Sequence, residues 1–232
     1  MTPDAFPILN RFPAAHPDRL QLYTLGTPNG VKVSILLEEL GLPYEAHKVE
    51  FGDEGTGSPE FRSLSRNGKI PAILDPDGPT DRPLALFESG AILLYLADKH
   101  RRFIGRDAAE RQEVIQWLFW QMAGMGPMFG QVGFFAKYAG AEFDDKRPRD
   151  RYVAEAQRLL GVLDARLEGR TWVAGDYSIA DMAMFGWVRG LDVHYDAAEL
   201  IGLDRFEQVA AWLECGLARP TVQRGLAVPT ED

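Results

Sequence analysis

The 232-residue chain has a single cysteine, Cys215. That excludes an intrachain disulfide, and it excludes the Cys-x-x-Cys pair that a self-contained redox or zinc site requires. Any redox sulfur has to arrive on a ligand. Histidine is nearly as sparse: His16, His47, His100 and His194 are scattered without metal-ligand spacing, so no metal is expected. Basic residues are in deficit, 25 against 34 acidic ones, for a net charge of −9, and no Lys/Arg-rich run occurs. This argues against nucleic acid or an anionic membrane surface as partner. Nowhere do roughly eighteen apolar residues run together as a membrane span requires. The opening residues Met1 to Pro7 lack the basic and apolar regions of a secretory signal, so a cytoplasmic location is expected.

Apolar residues make up 46% of the chain, enough for one large or two ordinary domains. The organising stretch runs from Leu20 to Gly41. Leu20 to Leu25 is apolar and β-prone, while Val33, Leu36, Leu37 and Leu40 recur at helical spacing and Gly41 supplies a stop. Between them lies Thr27-Pro28-Asn29-Gly30, a turn opening directly onto a helix. A helix N-terminus offers unpaired N–H groups and the positive end of its dipole, so an anion or thiolate there is stabilised, and the Thr27 hydroxyl and Asn29 amide add donors. Taken alone, the turn is better read as a plain cap, Thr27 or Asn29, with Pro28 starting the helix.

Residues 1–19 carry four prolines and no period, which predicts an irregular arm packed through Phe6, Ile8, Leu9 and Phe12. Tyr44 to Phe51 reads as a second strand, completing a βαβ unit with parallel strands. Ser58-Pro59 opens a short helix to Leu64. Ile70-Pro71 leads a strand to Asp75, Pro71 being a candidate for cis geometry, and Leu84 to Phe87 is a further strand before a helix over Gly90 to Lys99. Strand signals then cease. The boundaries predicted are an arm 1–19, an α/β domain 20–104 and an all-α domain 105–232. In the latter, a helix from about Ala108 passes through a glycine-, methionine- and aromatic-rich stretch where Pro127 should kink it. A helix runs from Arg149 to Leu167, Ser178 and Asp181 form a capping box, and a last helix from Phe206 to Ala218 is ended by Arg219-Pro220.

Four motifs in this order, Thr27 to Gly30, Lys69-Ile70-Pro71-Ala72, Phe87 to Leu96 with Glu88-Ser89 at its head, and Gly175 to Asp181, resemble the cytosolic glutathione transferase superfamily. Trp117 to Trp120 and Gly126-Pro127 make it similar to the bacterial nu class, which has glutathione-dependent disulfide-bond reductase activity. The resemblance implies an α/β thioredoxin-like N-terminal domain, an all-α C-terminal domain and a homodimer. It also implies a cis Pro71, Ile70 pairing with the cysteinyl unit of glutathione, and Glu88 and Ser89 holding the γ-glutamyl end. Ser89 at a helix start suits a carboxylate and Glu88 suits an ammonium. Thr27 and Asn29 are then the catalytic residues, orienting the thiolate of one or two glutathione molecules, or of glutathione disulfide. Lys69, Thr56 and Arg151 are further candidates for ligand contact. Tyr23 precedes the turn and is expected in the core.

Three functions follow. The first is a glutathione-dependent oxidoreductase acting on small-molecule disulfides. The second, in the same family, is a thioether lyase or conjugating transferase for small electrophiles, with an aromatic pocket between Trp117 and Phe135. The third, of another class, is a non-catalytic binding module, for which loss of Asn29 or Glu88-Ser89 would have spoken. Cys215 is expected to be a buried, dispensable thiol.

Overall fold

The computed structural model of the protein describes residues 1–229, which divide into two compact units: Met1–His100 together with the segment from Pro220 onward, and Arg101–Arg219. In the first unit the arm is not wholly irregular. It contains a one-turn helix, α1 (Ile8–Arg11), whose Ile8 and Leu9 are buried in one cluster with Tyr23, Val49, Phe61, Leu64 and Ile70. Burial of such side chains stabilises by about 1.5–3 kcal/mol each, which outweighs the poor helical signal of a proline-flanked segment.

Strand β1 (Leu20–Thr24) is buried along its whole length and leads through the turn into α2 (Gly30–Leu40). Gly41 adopts the left-handed conformation there, and the Leu42 N–H reaches back 3.2 Å to the Leu37 carbonyl, a Schellman-type ending. β2 (Tyr44–Lys48) is shorter than the sequence pattern suggests and pairs parallel with β1. After α3 (Pro59–Leu64), β3 (Ala72–Asp75) pairs antiparallel with β1 and with β4 (Leu84–Phe87), completing a four-stranded sheet of order β2-β1-β3-β4, and α4 (Ser89–His100) follows. This is the thioredoxin-like arrangement.

The second unit is helical: α5 (Ala108–Trp120), α6 (Gly126–Ala136), α7 (Arg147–Leu167), α8 (Ile179–Val193), α9 (Ala198–Ile201) and α10 (Glu207–Leu217). Asp107 caps α5 by accepting from the N–H groups of Ala109 and Glu110 at 2.8 and 2.9 Å. Between α5 and α6 the chain makes one π-helical turn, Gln121–Met125, in which the Gly126 N–H bonds to the Gln121 carbonyl five residues back. Pro127 has no N–H to continue the ladder, and the widened turn takes the place of a sharp kink. Trp117, Met125, Phe129 and Val132 are buried within the unit, while Phe119 and Phe134 of the same stretch stay exposed. At α8 the Ser178–Asp181 capping box is present, and Asp181 also accepts from the Val173 N–H and the Trp212 indole, both at 2.9 Å.

The chain does not stop at Pro220. Pro220 opens a final helix, α11 (Pro220–Leu226), a position where its missing N–H is harmless. This helix belongs to the first unit, against α2: Ser34 Oγ donates to the Gly225 carbonyl at 2.6 Å, Thr221 bonds Glu39, and Arg224 pairs with Glu38. Among the described residues no helix is long and apolar enough to cross a membrane.

Candidate active site

Sheet register brings three of the sequence motifs to one edge. Tyr23 on β1 stands opposite Ala72 on β3, and Ala72 stands opposite Phe87 on β4. Beyond that row Pro71 and Glu88 come directly next to Ala72 and Phe87, continuing into Ile70-Pro71 and Glu88-Ser89, while β1 runs on through Thr24, Leu25 and Gly26 into the Thr27–Gly30 turn. Antiparallel pairing is the reason, since the exits of β1 and β4 and the entry of β3 lie at the same end of the sheet.

In the turn, the Gly30 N–H donates to Thr27 Oγ1 at 3.2 Å and the Val31 N–H to the Thr27 carbonyl at 3.0 Å. Thr27 therefore caps α2 as an acceptor, and its hydroxyl hydrogen is directed to something other than Gly30. Asn29 sits in the N-cap position with helical φ/ψ and makes no capping bond with its side chain. Both residues are partly exposed, whereas Pro28 and Gly30 are buried. A side chain at Gly30 would overlap the Leu25 carbonyl, so the turn closes tightly only with glycine there.

Across the edge, the Ile70–Pro71 peptide is cis. Ile70 is buried in the cluster beneath it and Lys69 is exposed. Glu88 holds a left-handed backbone (φ 73°), and its carbonyl accepts from the Ile92 N–H at 2.9 Å, which starts α4. Its exposed carboxylate lies 3.5 Å from Asn67 Nδ2. Ser89, at the first helical position, is 4% exposed. Thr56 is buried in the loop after β2, where a Cβ on Gly68 would stand 3.2 Å from the Thr56 carbonyl. Arg151 lies in the other unit, exposed on α7, lining an open cavity of about 930 Å³ with Arg147, Arg158 and Tyr152.

Tyr23 is fully buried, as expected, with its ring stacked 4.8 Å from His47. Among the described residues its hydroxyl has no hydrogen-bond partner, and burial pushes its pKa up, so it stays neutral and sealed from a ligand. Sequence reasoning missed Lys32. It is fully buried on α2, with Nζ 3.4 Å from Ser89 Oγ, and burial lowers its pKa to about 7 against the pull of the nearby Glu88 carboxylate. The available signal was a lone cation inside the run Val31 to Leu37.

Cys215 is exposed near the end of α10, which corrects the expected burial. The α10 face toward the unit's core is taken by Val209, Trp212 and Gly216, leaving position 215 on the outer side. Among the described residues no group of three or more metal-ligating side chains is assembled.

The N-terminal domain model of glutathione S-transferases matches residues 27–99 and the corresponding C-terminal domain model matches residues 126–220. The disulfide-bond oxidoreductase YfcG of Escherichia coli is 43% identical over 210 residues, covering 89% of this chain and 94% of the relative. The chain belongs to the glutathione S-transferase family. A second Escherichia coli member, the disulfide-bond oxidoreductase YghU, is 41% identical over 222 residues, 92% of this chain and 75% of its own. Among solved structures, a glutathione transferase from Pseudomonas putida with one glutathione disulfide bound per subunit is 60% identical, with a TM-score of 0.97 over 99% of this chain and 100% of its own. One from Burkholderia graminis, with two glutathione molecules per subunit, is 61% identical, with a TM-score of 0.96 over 99% and 96%. This glutathione S-transferase thus has close relatives holding either the reduced pair or the disulfide.

Proposed function

We propose that this glutathione S-transferase is a glutathione-dependent disulfide-bond oxidoreductase that uses the thiolate of bound glutathione in place of a protein cysteine. The observation that carries the reading is the cysteine-free turn at the start of α2, with Thr27 and Asn29 open to ligand, on the same sheet edge as Ile70-Pro71 and Glu88-Ser89. Cationic and N–H surroundings at a helix N-terminus lower a thiol pKa and raise the thiolate fraction near neutral pH. One thiolate attacks a sulfur of the substrate disulfide. A mixed disulfide with glutathione forms, and the other substrate sulfur leaves as a thiolate that takes a proton from solvent. A second glutathione thiolate then attacks the glutathione sulfur of the mixed disulfide, releasing glutathione disulfide and the second substrate thiolate. Two electrons pass from two glutathiones to one disulfide, and no metal takes part.

Within this reading Thr27 and Asn29 are the catalytic donors to the thiolate. Ile70 and Lys69 line the cysteinyl-glycine portion beside Pro71, Glu88 and Ser89 hold the γ-glutamyl ammonium and carboxylate, and Thr56 contributes an outer contact. Burial of Tyr23 favours disulfide reduction over conjugation driven by a tyrosine hydroxyl. Mass spectrometry under native conditions should find glutathione or its disulfide on the purified protein, and glutathione should reduce hydroxyethyl disulfide in its presence. Absence of both would overturn the reading.

The working form is a cytoplasmic homodimer. Much of the apolar stretch from Trp117 to Phe129 is used inside its own unit, but Phe51 and Phe119 remain 61% and 62% exposed, and large exposed apolar side chains suit an interface. Sedimentation equilibrium should give twice the 25.9 kDa of one chain. A single 25.9 kDa species at micromolar concentration would contradict it.

A further inference from the structure

Lys32 is a cation fully withdrawn from water in the first unit, and the mechanism above does not use it. Its side chain leaves α2, the helix carrying the turn at its N-terminus, and ends at the start of α4 beside Ser89, with Glu88 also near enough to act on its charge. A buried lysine is unfavourable unless something is gained by it. Two chain segments that meet a ligand, the head of α2 and the head of α4, are joined through this one ammonium.

We propose that Lys32 is a positioning residue for the γ-glutamyl end of glutathione: its ammonium donates to Ser89 Oγ from within the fold, directs the Ser89 hydroxyl hydrogen toward the ligand's α-carboxylate, and in its protonated form sets a positive charge behind it. This rests on the reading of Glu88-Ser89 as the γ-glutamyl site. A hydroxyl oxygen that accepts from an ammonium has to donate its own hydrogen elsewhere. A carboxylate arriving at Ser89 then meets the hydroxyl, the N–H groups that begin α4 and the Lys32 charge, all of one sign. Low dielectric around the ammonium strengthens its attraction for that carboxylate. The ligand's ammonium is left to Glu88, whose carboxylate stays exposed. Lysine thereby sorts the two charged groups of the ligand between neighbouring residues.

The test uses the full chain and three ligands: glutathione, its γ-aminobutyryl analogue without the α-carboxylate, and its glutaryl analogue without the ammonium. Affinities are measured by calorimetry for the wild type, Lys32→Met and Ser89→Ala. Lys32→Met should weaken glutathione and the glutaryl analogue by roughly tenfold or more and leave the γ-aminobutyryl analogue within about twofold, since only the first two carry the carboxylate. Equal loss for all three ligands would make Lys32 merely structural, and no loss for any would remove its role; either overturns the proposal. If Ser89→Ala and deletion of the carboxylate both prove harmless in the wild type, the γ-glutamyl reading itself fails, and the proposal with it. Should Lys32→Met not fold, the wild type labelled with nitrogen-15 lysine decides. The Lys32 Nζ resonance should move on addition of glutathione and stay in place with the γ-aminobutyryl analogue, and an identical response to both would refute the proposal.

Discussion

Replacing Lys32 by methionine removes the charge while keeping almost the same unbranched side-chain shape, so the change in stability reports on the buried ammonium. In the unfolded chain this lysine titrates near 10.5 and in the fold near 7, chiefly because burial disfavours the charged form. Between those values the unfolded chain binds the extra proton. The stability of the wild type therefore rises with pH across that window, and its penalty is fully present only below about pH 7. Lys32→Met lacks that slope. At 1.36 kcal/mol per pH unit, the variant should exceed the wild type by about 4 kcal/mol at pH 7 and about 3 kcal/mol at pH 8.5, converging near pH 10.5. Urea denaturation at each pH gives the difference directly. Far-ultraviolet circular dichroism is the suitable probe, because all five tryptophans lie in the second unit and Lys32 lies in the first. A difference that does not change with pH, or a variant less stable than wild type at pH 7, would refute the reasoning.

Other expectations concern residues outside the sheet edge. Asp181→Asn places an amide NH₂ against groups that all donate to the carboxylate, namely the Val173 and Ser178 N–H groups, the Ser178 hydroxyl and the Trp212 indole. It should destabilise the second unit by about 2–4 kcal/mol, seen as a lowered midpoint in tryptophan-monitored urea unfolding, and an unchanged midpoint would contradict it. Burial raises the Asp181 pKa to about 6, so this carboxyl's contribution to stability should be larger near pH 4 than at pH 7, and the wild type minus Asp181→Asn difference measured at the two pH values checks the sign. Cys215→Ala, at an exposed position, should leave disulfide reductase activity and melting temperature unchanged; loss of activity with retained glutathione affinity would point to a protein thiol in the chemistry.

Much of this was legible because it is written locally. The strand, turn and helix from Leu20 to Gly41 carry a period, a proline at the turn and a glycine stop, and the Ser178–Asp181 box spans a single helical turn. The three motifs of the site could each be recognised, but their meeting at one edge is a property of the β1-β3-β4 pairing, which no local pattern encodes. Where a residue type has two meanings, the sequence alone misleads. Pro220 reads as a helix stop, and α10 does end before it at Leu217, but it also starts α11, whose partners, Ile35 against Gly225 and Glu38 with Arg224, lie far away along the chain. No local pattern gives Lys32 a role; its burial beside Ser89 comes from the contact of α2 with α4. In the stretch from Trp117 to Phe129, which reads as a pocket or an interface, Trp117, Met125 and Phe129 are spent on packing within their own unit, whereas Phe119 stays exposed. Exposure of Cys215 depends on which face of α10 its neighbours occupy.

The central claim, that Thr27 and Asn29 stabilise the glutathione thiolate, is tested most directly by the pKa of the bound thiol, read from thiolate absorbance as pH is varied, in wild type, Thr27→Ala, Asn29→Ala and the double variant. Losing one donor to an anion in a sheltered site costs about 2.7–4 kcal/mol at most, and the N–H groups of α2 remain in place, so each single change should raise the pKa partially. The double variant should raise it further, with turnover of a small disulfide at neutral pH falling in parallel. An unchanged thiol pKa and normal turnover in the double variant, with only a melting temperature lowered by the loss of the Thr27–Gly30 cap, would mean that these residues shape the helix and do not take part in the chemistry.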